Sequence, residues 1–289
     1  MKALVIGGSG FLGSHVADEL HRKNYKVTIL DKKISKFKLK NQKFIKSNIL
    51  NTKLITKAIK GQDFVFMFAG VSDLNVAVKN PVETVKYNIL STAKILDICR
   101  KFGVKRFVFA SSVYANSDIG GFYRASKLSA EEYIKEFRKL YSLDYTILRY
   151  GSLYGPRSDE SNGIKKIIIN AIKNRKLEYI GSKKAIRQYI HILDAAKATV
   201  NILNRKYRNK FIVIKGKKSI KVFSLLKYLQ KKFKLENKIK FNDKKYLGHY
   251  TFYPKSYKIN KGINFKFSKN KDLFKEIDKL VLTTKNEIF

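Results

Sequence analysis

Tyr123 and Lys127 follow a serine pair, Ser111-Ser112, and a glycine-rich loop near the start of the chain, Gly7-Gly-Ser-Gly10-Phe-Leu-Gly13. A free phenol ionises near pH 10, so a tyrosine alone is a poor acid–base group at neutral pH. On a helix, Lys127 lies one turn beyond Tyr123 on the same face. Its ammonium stabilises the phenolate and brings the tyrosine towards working pH. The Ser112 hydroxyl is placed to hydrogen-bond the same substrate oxygen, with Ser111 as the alternative partner. This trio suits moving a proton on and off an alcohol or sugar oxygen while a nicotinamide takes or gives hydride.

Such chemistry needs a cofactor and a scaffold, and the first thirty residues read as both. Lys2–Ile6 is a short apolar run with the look of a buried parallel strand. It enters the glycine loop, after which Phe11, Leu12, Val16 and Leu20 form an apolar stripe at helical spacing. Strand, glycine turn and helix is the context that a dinucleotide fingerprint requires. Gly7 allows the tight turn, Gly10 lets the backbone approach a pyrophosphate, and Gly13 lets helix and strand pack closely. The helix N-terminus offers free N–H groups to the phosphates. A second strand, Lys26 to Leu30, ends at Asp31, eighteen residues after Gly13. A carboxylate there accepts hydrogen bonds from the adenosine ribose and repels a 2′-phosphate, which favours NAD over NADP. Lys32 and Lys33 follow directly and partly offset that repulsion.

With these motifs in this order, the chain resembles the extended short-chain dehydrogenase/reductases of the NAD-dependent epimerase/dehydratase group, which act on nucleotide-activated sugars. The resemblance runs from residue 1 to about residue 204. It implies that Ala69 and Gly70 lie beside the cofactor, that Asn88 props the active-site backbone, and that Asn48 and Ile49 stand near the adenine. Ser111 and Tyr150 join this cofactor set, with Phe11 and Leu12 from the loop. Leu148 to Pro156 is similar to the segment where cofactor and substrate parts meet. Arg187 falls in Arg-Gln-Tyr-Ile-His-Ile-Leu-Asp, similar to the stretch whose arginine holds a substrate diphosphate. Ser112, Ser152, Arg157 and Arg187 are therefore the expected substrate residues.

The resemblance implies an NAD-dependent epimerase that oxidises a nucleotide diphosphate sugar transiently at C4, with Tyr123 as acid and base. Reduction or oxidation of a sugar-nucleotide carbonyl is the nearest alternative. A cofactor-sensing or RNA-associated protein that kept the fold without turnover is an alternative of another class. Four departures from the family pattern stand out. Val113-Tyr114 replace the Asp-Glu pair that 4,6-dehydration normally needs. Tyr123 stands only eleven positions after Ser112, which leaves room for an amino or deoxy sugar. Ser152 replaces an Asn that many members use, and Asn116 stands where the family usually has a Tyr four residues after its catalytic hydroxyl.

The expected fold is α/β, a doubly wound parallel Rossmann sheet with a smaller C-terminal α/β substrate lobe. A cofactor domain spans 1–155 and a substrate lobe 156–289, with the 186–204 stretch packing back on the first. Strands are expected near 2–6, 26–30, 43–46, 63–69, 105–110, 145–149 and 210–214. Helices are expected near 11–23, 51–60, 82–102, 124–141, 161–174, 194–204 and 222–234. After Asn237 the pattern is weak. Helix 82–102 carries more apolar surface than one sheet face needs, and the resemblance implies pairing through helices 82–102 and 124–141, so a homodimer is expected.

The 62 Lys and Arg against 22 Asp and Glu give a net charge of +40. Such a field attracts polyanions. Lysine is nevertheless spread through almost every segment, as a proteome-wide lysine preference produces, and neither dense stretch (Lys32 to Lys46, Lys231 to Lys245) carries an RNA-binding signature. Nucleic acid is therefore not the expected partner, although the field helps steer an anionic sugar nucleotide. The one cysteine, Cys99, excludes an internal disulfide, and no Cys/His cluster suggests a metal. No apolar run approaches a membrane span, and Met1-Lys2 leads straight into a strand rather than a signal peptide. The expected compartment is the cytoplasm. His191 reads as a structural histidine and Asp118 as a loop residue.

Overall fold

The computed structural model describes residues 1–236, 239–242 and 262–289. Strands and helices alternate at first: β1 (Lys2–Ile6), α1 (Phe11–Arg22), β2 (Lys26–Asp31), β3 (Lys43–Lys46), α2 (Thr52–Ile59) and β4 (Phe64–Met67). Three helices, α3 (Leu74–Lys79), α4 (Pro81–Thr84) and α5 (Ser91–Lys101), lead to β5 (Arg106–Ser112), α6 (Gly121–Tyr141) and β6 (Tyr145–Tyr150). Next come β7 (Ser152–Tyr154), α7 (Gly163–Asn174), β8 (Glu178–Tyr179), β9 (Ile186–Arg187), β10 (Tyr189–His191) and α8 (Ile192–Asn201). The last elements are β11 (Lys210–Ile214), β12 (Ile220–Lys221), α9 (Val222–Lys232), β13 (Lys240–Phe241), β14 (Ile263–Asn264) and α10 (Leu273–Ile288).

Eight strands form one sheet in the order β14-β11-β6-β5-β4-β1-β2-β3, with every neighbouring pair parallel. The reason lies in the strand sequences. β4 reads Phe-Val-Phe-Met and is buried throughout, as is β6, so neither offers a polar face to water. Strands buried on both faces need helices on both faces, and parallel crossovers supply them. Leu4, Phe107 and Ile147 join the core shared with α2, α5 and α6. Val5, Phe66 and Val108 join the core shared with α1 and α8. The order turns at β1 and β4, where the crossovers leave in opposite directions and open a crevice at the strand ends.

Helix α8 packs against α1 on one face of the sheet. The sheet also takes β11 and β14 from beyond residue 156, with Phe211 opposite Ile147. A boundary at 155/156 therefore divides the walls of the crevice but runs through one sheet. The lobe has its own core, in which Ile168, Leu225, Leu229 and Ile277 meet.

Two local expectations need correction. The segment 82–102 is not one regular helix: between α4 and α5 the backbone makes a π-helical turn, Val85–Leu90. The wider turn holds the buried Asn88, and such turns are frequent at functional sites. The described part of the weakly patterned C-terminus contains a sixteen-residue helix, α10. Ile277, Leu280, Val281 and Thr284 are its buried stripe, at the spacing of one helical face. Asp272 caps it by accepting from the Lys275 N–H. The stripe was present in the sequence, but dense lysines and scattered aromatics concealed it. The remainder of the expected weak region, and part of the Lys231–Lys245 stretch, lie outside the described residues.

The aromatics interleaved with the dense lysines are used internally. Phe37 lies under Arg157, Phe44 packs on the sheet core, and Phe233 and Phe241 pack in the lobe. Among the described residues, no helix is long and apolar enough to cross a membrane. Cys99 is buried, and burial pushes its thiol well above the ordinary range.

Candidate active site

A cavity of about 810 Å³ runs along the C-terminal ends of the central strands and under the lobe. At one end lies the glycine loop. Gly7 has φ +82°, and its N–H donates to the Leu30 carbonyl at 2.8 Å, which turns the chain sharply out of β1. A Cβ on Gly13 would lie 2.1 Å from the Gly7 carbonyl oxygen, so only glycine lets α1 start this close to the strand. Gly10 precedes α1 and no side chain caps that terminus. The first N–H groups, at Phe11, Leu12 and Gly13, border the cavity. An uncapped helix N-terminus is an anion site. The Ser9 hydroxyl is buried without a hydrogen-bond partner beside it, as befits a loop built to meet a polar ligand.

Asp31, at the end of β2, accepts from the Ser9 N–H at 3.0 Å and from the Lys33 N–H at 3.4 Å. The loop backbone thus holds the carboxylate at the cavity wall. Lys32 does not stand over that carboxylate; its ammonium lies 4.4 Å above the Tyr87 ring. Asn48 sits behind this wall. Its amide donates to the Tyr87 hydroxyl at 3.3 Å, and its carbonyl accepts from the Leu50 N–H. Those contacts hold the Tyr87 phenol below its ordinary range, through Asn48 first and Lys32 second. Ile49 and Tyr87 line the cavity and Asn48 does not.

On the other side of the switch point, Ala69 and Gly70 follow β4. Gly70 has φ +148°, and a Cβ there would lie 2.5 Å from Asn88 Oδ1. Asn88 lies behind this turn rather than in the cavity. It accepts from the Val71 N–H at 2.8 Å, donates to the Val71 carbonyl at 3.0 Å, and donates to Ser126 Oγ at 2.9 Å. The Asn88 amide therefore ties the turn after β4 to α6.

Ser112, Tyr123 and Lys127 meet at the middle of the cavity. Ser112 ends β5, and its hydroxyl bonds the Tyr123 phenol. Tyr114 stands edge-on to Tyr123, with ring centroids 6.3 Å apart. Lys127 is buried; its ammonium donates to the Ala110 carbonyl at 2.9 Å and lies 5.9 Å from the Tyr123 ring centre. Burial pushes the Tyr123 phenol up to about 12, more than the Ser112 bond recovers. Burial also brings Lys127 down to about 8, against the opposing field of Glu131. The sequence spacing suggested a lowered phenol. Loss of solvent raises it instead.

Ser111 is not the partner of Tyr123. Its side chain turns to the opposite face of the strand end and donates to Glu131 Oε1 at 2.5 Å. Glu131 also accepts from Arg149 Nε at 2.9 Å and from Arg149 Nη2 at 2.5 Å. Tyr150 lines the cavity, but its hydroxyl is committed to Thr199 at 2.6 Å. Glu131 was not foreseen, because nothing in its spacing separates it from an ordinary helix-surface glutamate.

At the lobe end, Ser152 on β7 and Arg187 on β9 line the cavity. The buried Arg187 donates to the Tyr179 hydroxyl at 2.8 Å and to the Ile186 carbonyl at 3.0 Å. Tyr179 and Tyr189 complete this end. Sequence reasoning missed Tyr179, which is positioned by β8 pairing with the distant β13. Arg157, expected among the substrate residues, does not line the cavity. Its backbone is left-handed, φ +66°, and the side chain pairs with Asp18 at 2.8 Å and stacks over Phe37 at 4.5 Å. It anchors the segment after β7 to α1, away from the cavity. His191 is buried, accepts from the Leu193 N–H, and is brought down to about 4 by burial.

A doubly wound sheet whose first turn is glycine-rich, with Tyr-xxx-Lys on the helix after β5, defines an extended short-chain dehydrogenase/reductase. The model of the NAD dependent epimerase/dehydratase family matches residues 3–214, and the chain belongs to that family. It is thus an NAD-dependent enzyme of the isomerase or oxidoreductase class. A Methanocaldococcus jannaschii protein named provisionally as a UDP-glucose 4-epimerase is 35% identical over 225 residues, 70% of this chain and 73% of that one. The UDP-N-acetylglucosamine 4-epimerase of Methanobrevibacter ruminantium M1, solved with UDP-N-acetylmuramic acid, is 26% identical. It matches with a TM-score of 0.83 over 99% of this chain and 98% of its own. The UDP-glucose 4-epimerase of Thermotoga maritima, solved with UDP-glucose, shares the fold at TM-score 0.86 over 100% of both chains and 23% identity.

Proposed function

We propose that the protein is an NAD-dependent 4-epimerase of a nucleotide diphosphate sugar. The observation that carries this reading is a single cavity with the glycine loop and Asp31 at one end, Arg187 at the other, and Ser112, Tyr123 and Lys127 between them. Gly7, Gly10, Gly13 and Asp31 are the residues that would hold NAD. When bound, NAD supplies a hydride acceptor and a positively charged ring near the phenol. Lys127 acts with that charge against the burial that holds Tyr123 near 12. Tyr123 takes the C4 hydroxyl proton while hydride leaves C4, and returns it when hydride comes back to the other face. Ser112 holds the same oxygen in both half-reactions. Arg187 binds the diphosphate, which supplies remote binding energy that orients the reacting carbon.

Val113 and Tyr114 form the buried turn after Ser112, so no carboxylate stands there to assist loss of a C6 hydroxyl. This favours epimerisation over dehydration. The short connection from Ser112 to Tyr123 favours a UDP- or dTDP-linked amino or deoxy sugar over glucose, in keeping with the named substrate of the Methanobrevibacter relative. Exposed Val82, Val85, Leu140 and Tyr141 on the outer faces of α4, the π turn and α6 support a homodimer through these elements. Light scattering at micromolar concentration tests that assembly, and a monomer refutes it. The catalytic reading is tested on a panel of UDP- and dTDP-sugars. Tyr123→Phe removes only the ionisable oxygen, so turnover should fall about 100-fold or more while NAD stays bound. Normal turnover by that variant overturns the mechanism.

A further inference from the structure

The proposed chemistry uses Tyr123, Lys127 and Ser112, yet a fully buried carboxylate lies one turn beyond Lys127 on the same helix. Glu131 is 0% exposed and its partner Arg149 is 2% exposed. A buried ion pair of this kind is weak evidence for stability, because desolvation offsets much of the attraction. Its location is more informative. Glu131 belongs to α6, Ser111 to β5 and Arg149 to β6, and Ser111 lies directly opposite Arg149 in the sheet register. One carboxylate thus joins the helix that carries Tyr123 and Lys127 to the strand ends that carry Ser112 and Tyr150.

We propose that Glu131 is a positioning residue: it clamps the Tyr123–Lys127 helix onto the strand ends at Ser112 and Tyr150, and it supplies the countercharge facing Lys127. This inference rests on the acid–base reading of Tyr123 and Lys127. Lys127 is surrounded by Tyr123 and Glu131 on its own helix and by the Ala110 carbonyl and the Phe109 ring from β5. Arg149 stands behind Glu131 on β6, and the π turn contributes the neutral Asn88 through Ser126. Tyr145 on β6 also feels Glu131, which adds to the burial that raises its phenol. Glu131 is the charge that works against burial at Lys127. Without it, the uncompensated Arg149 faces the Tyr123–Lys127 pair, and the pair gives up its first proton at lower pH. A pair coupled this closely titrates as a unit, so the shift is read as a macroscopic limb of the rate profile.

The test is the pH profile of kcat for Glu131→Gln beside the parent enzyme and Tyr123→Phe. The expected result is a kcat lower by about tenfold, with the profile moved acidward by about one pH unit. Glu131→Gln/Arg149→Met, which removes both charges together, should return the limb to within a few tenths of its original pH. If Glu131→Gln does not fold, Arg149→Met decides the question in the opposite sense, because a carboxylate left unpaired near Lys127 moves the limb alkaline. An unmoved limb in the folded variant, with only thermal stability reduced, overturns the proposal. If Tyr123→Phe retains turnover, the acid–base reading itself fails, whatever Glu131 does.

Discussion

Replacing Lys127 with Met should make the protein more stable and inactive at once. Burial holds the ammonium at about 8, against 10.5 in water. At about 1.4 kcal/mol per pH unit, keeping Lys127 charged in the fold costs roughly 3 kcal/mol at pH 7. Met has similar length and no charge, but it gives up the charge-assisted bond to the Ala110 carbonyl, worth about 2 kcal/mol. The net gain is about 1 kcal/mol at pH 7. The sign of the pH dependence follows from proton binding. Between pH 8 and 10.5 the unfolded parent chain holds a proton on Lys127 that the folded chain has lost, so parent stability rises with pH across that window. The penalty is complete below 8 and gone above 10.5, so the stability of the variant relative to its parent should fall by about 3 kcal/mol between these limits. Urea titrations of both proteins at half-unit steps from pH 7 to 10.5, with activity and NAD affinity measured beside them, give the comparison. A variant less stable than its parent at pH 7, with a gap that does not change with pH, would refute the claim that Lys127 is held against its own desolvation.

Calorimetry should show tighter binding of NAD than of NADP, because Asp31 is fixed at the cavity wall and Lys32 is drawn away over Tyr87; equal or tighter NADP binding would mark Lys32 or Lys33 as a 2′-phosphate clamp. Gly13→Ala should weaken NAD binding by about tenfold or more and lower Tm, since its new methyl meets the Gly7 carbonyl oxygen at 2.1 Å and both are backbone-bound; unchanged affinity in fluorescence titration would contradict that packing. Arg187→Ala should raise KM for the sugar nucleotide by about tenfold, with NAD affinity changed less than twofold and free sugars poor substrates throughout. If free sugars turn over as well as their conjugates, and Arg187→Ala is silent in steady-state kinetics, the diphosphate assignment is wrong.

What the sequence determined by itself was local. A glycine followed by a helical stripe, an acid at the end of the second strand, and a tyrosine one turn before a lysine are constraints within single elements. Their meaning survives without knowing what packs against them. The order of strands and helices likewise follows from apolar runs that must be buried on both faces, and it prescribes a parallel doubly wound sheet. The α10 stripe was of the same local kind and was legible in principle, but the surrounding lysine density hid it.

Contacts between distant segments were decided only by the folded chain. Ser111 and Ser112 are adjacent and chemically identical, and strand pleating alone sends one to Tyr123 and the other to Glu131. Arg157 and Arg187 both looked like anion ligands. A left-handed backbone turns the first onto Asp18, while the β9 strand holds the second in the cavity. The ionisation of Tyr123 and Lys127 was also beyond sequence spacing. Spacing specifies that the two are neighbours, but only the depth of burial specifies how much solvent each has lost, and here desolvation is the largest influence on each.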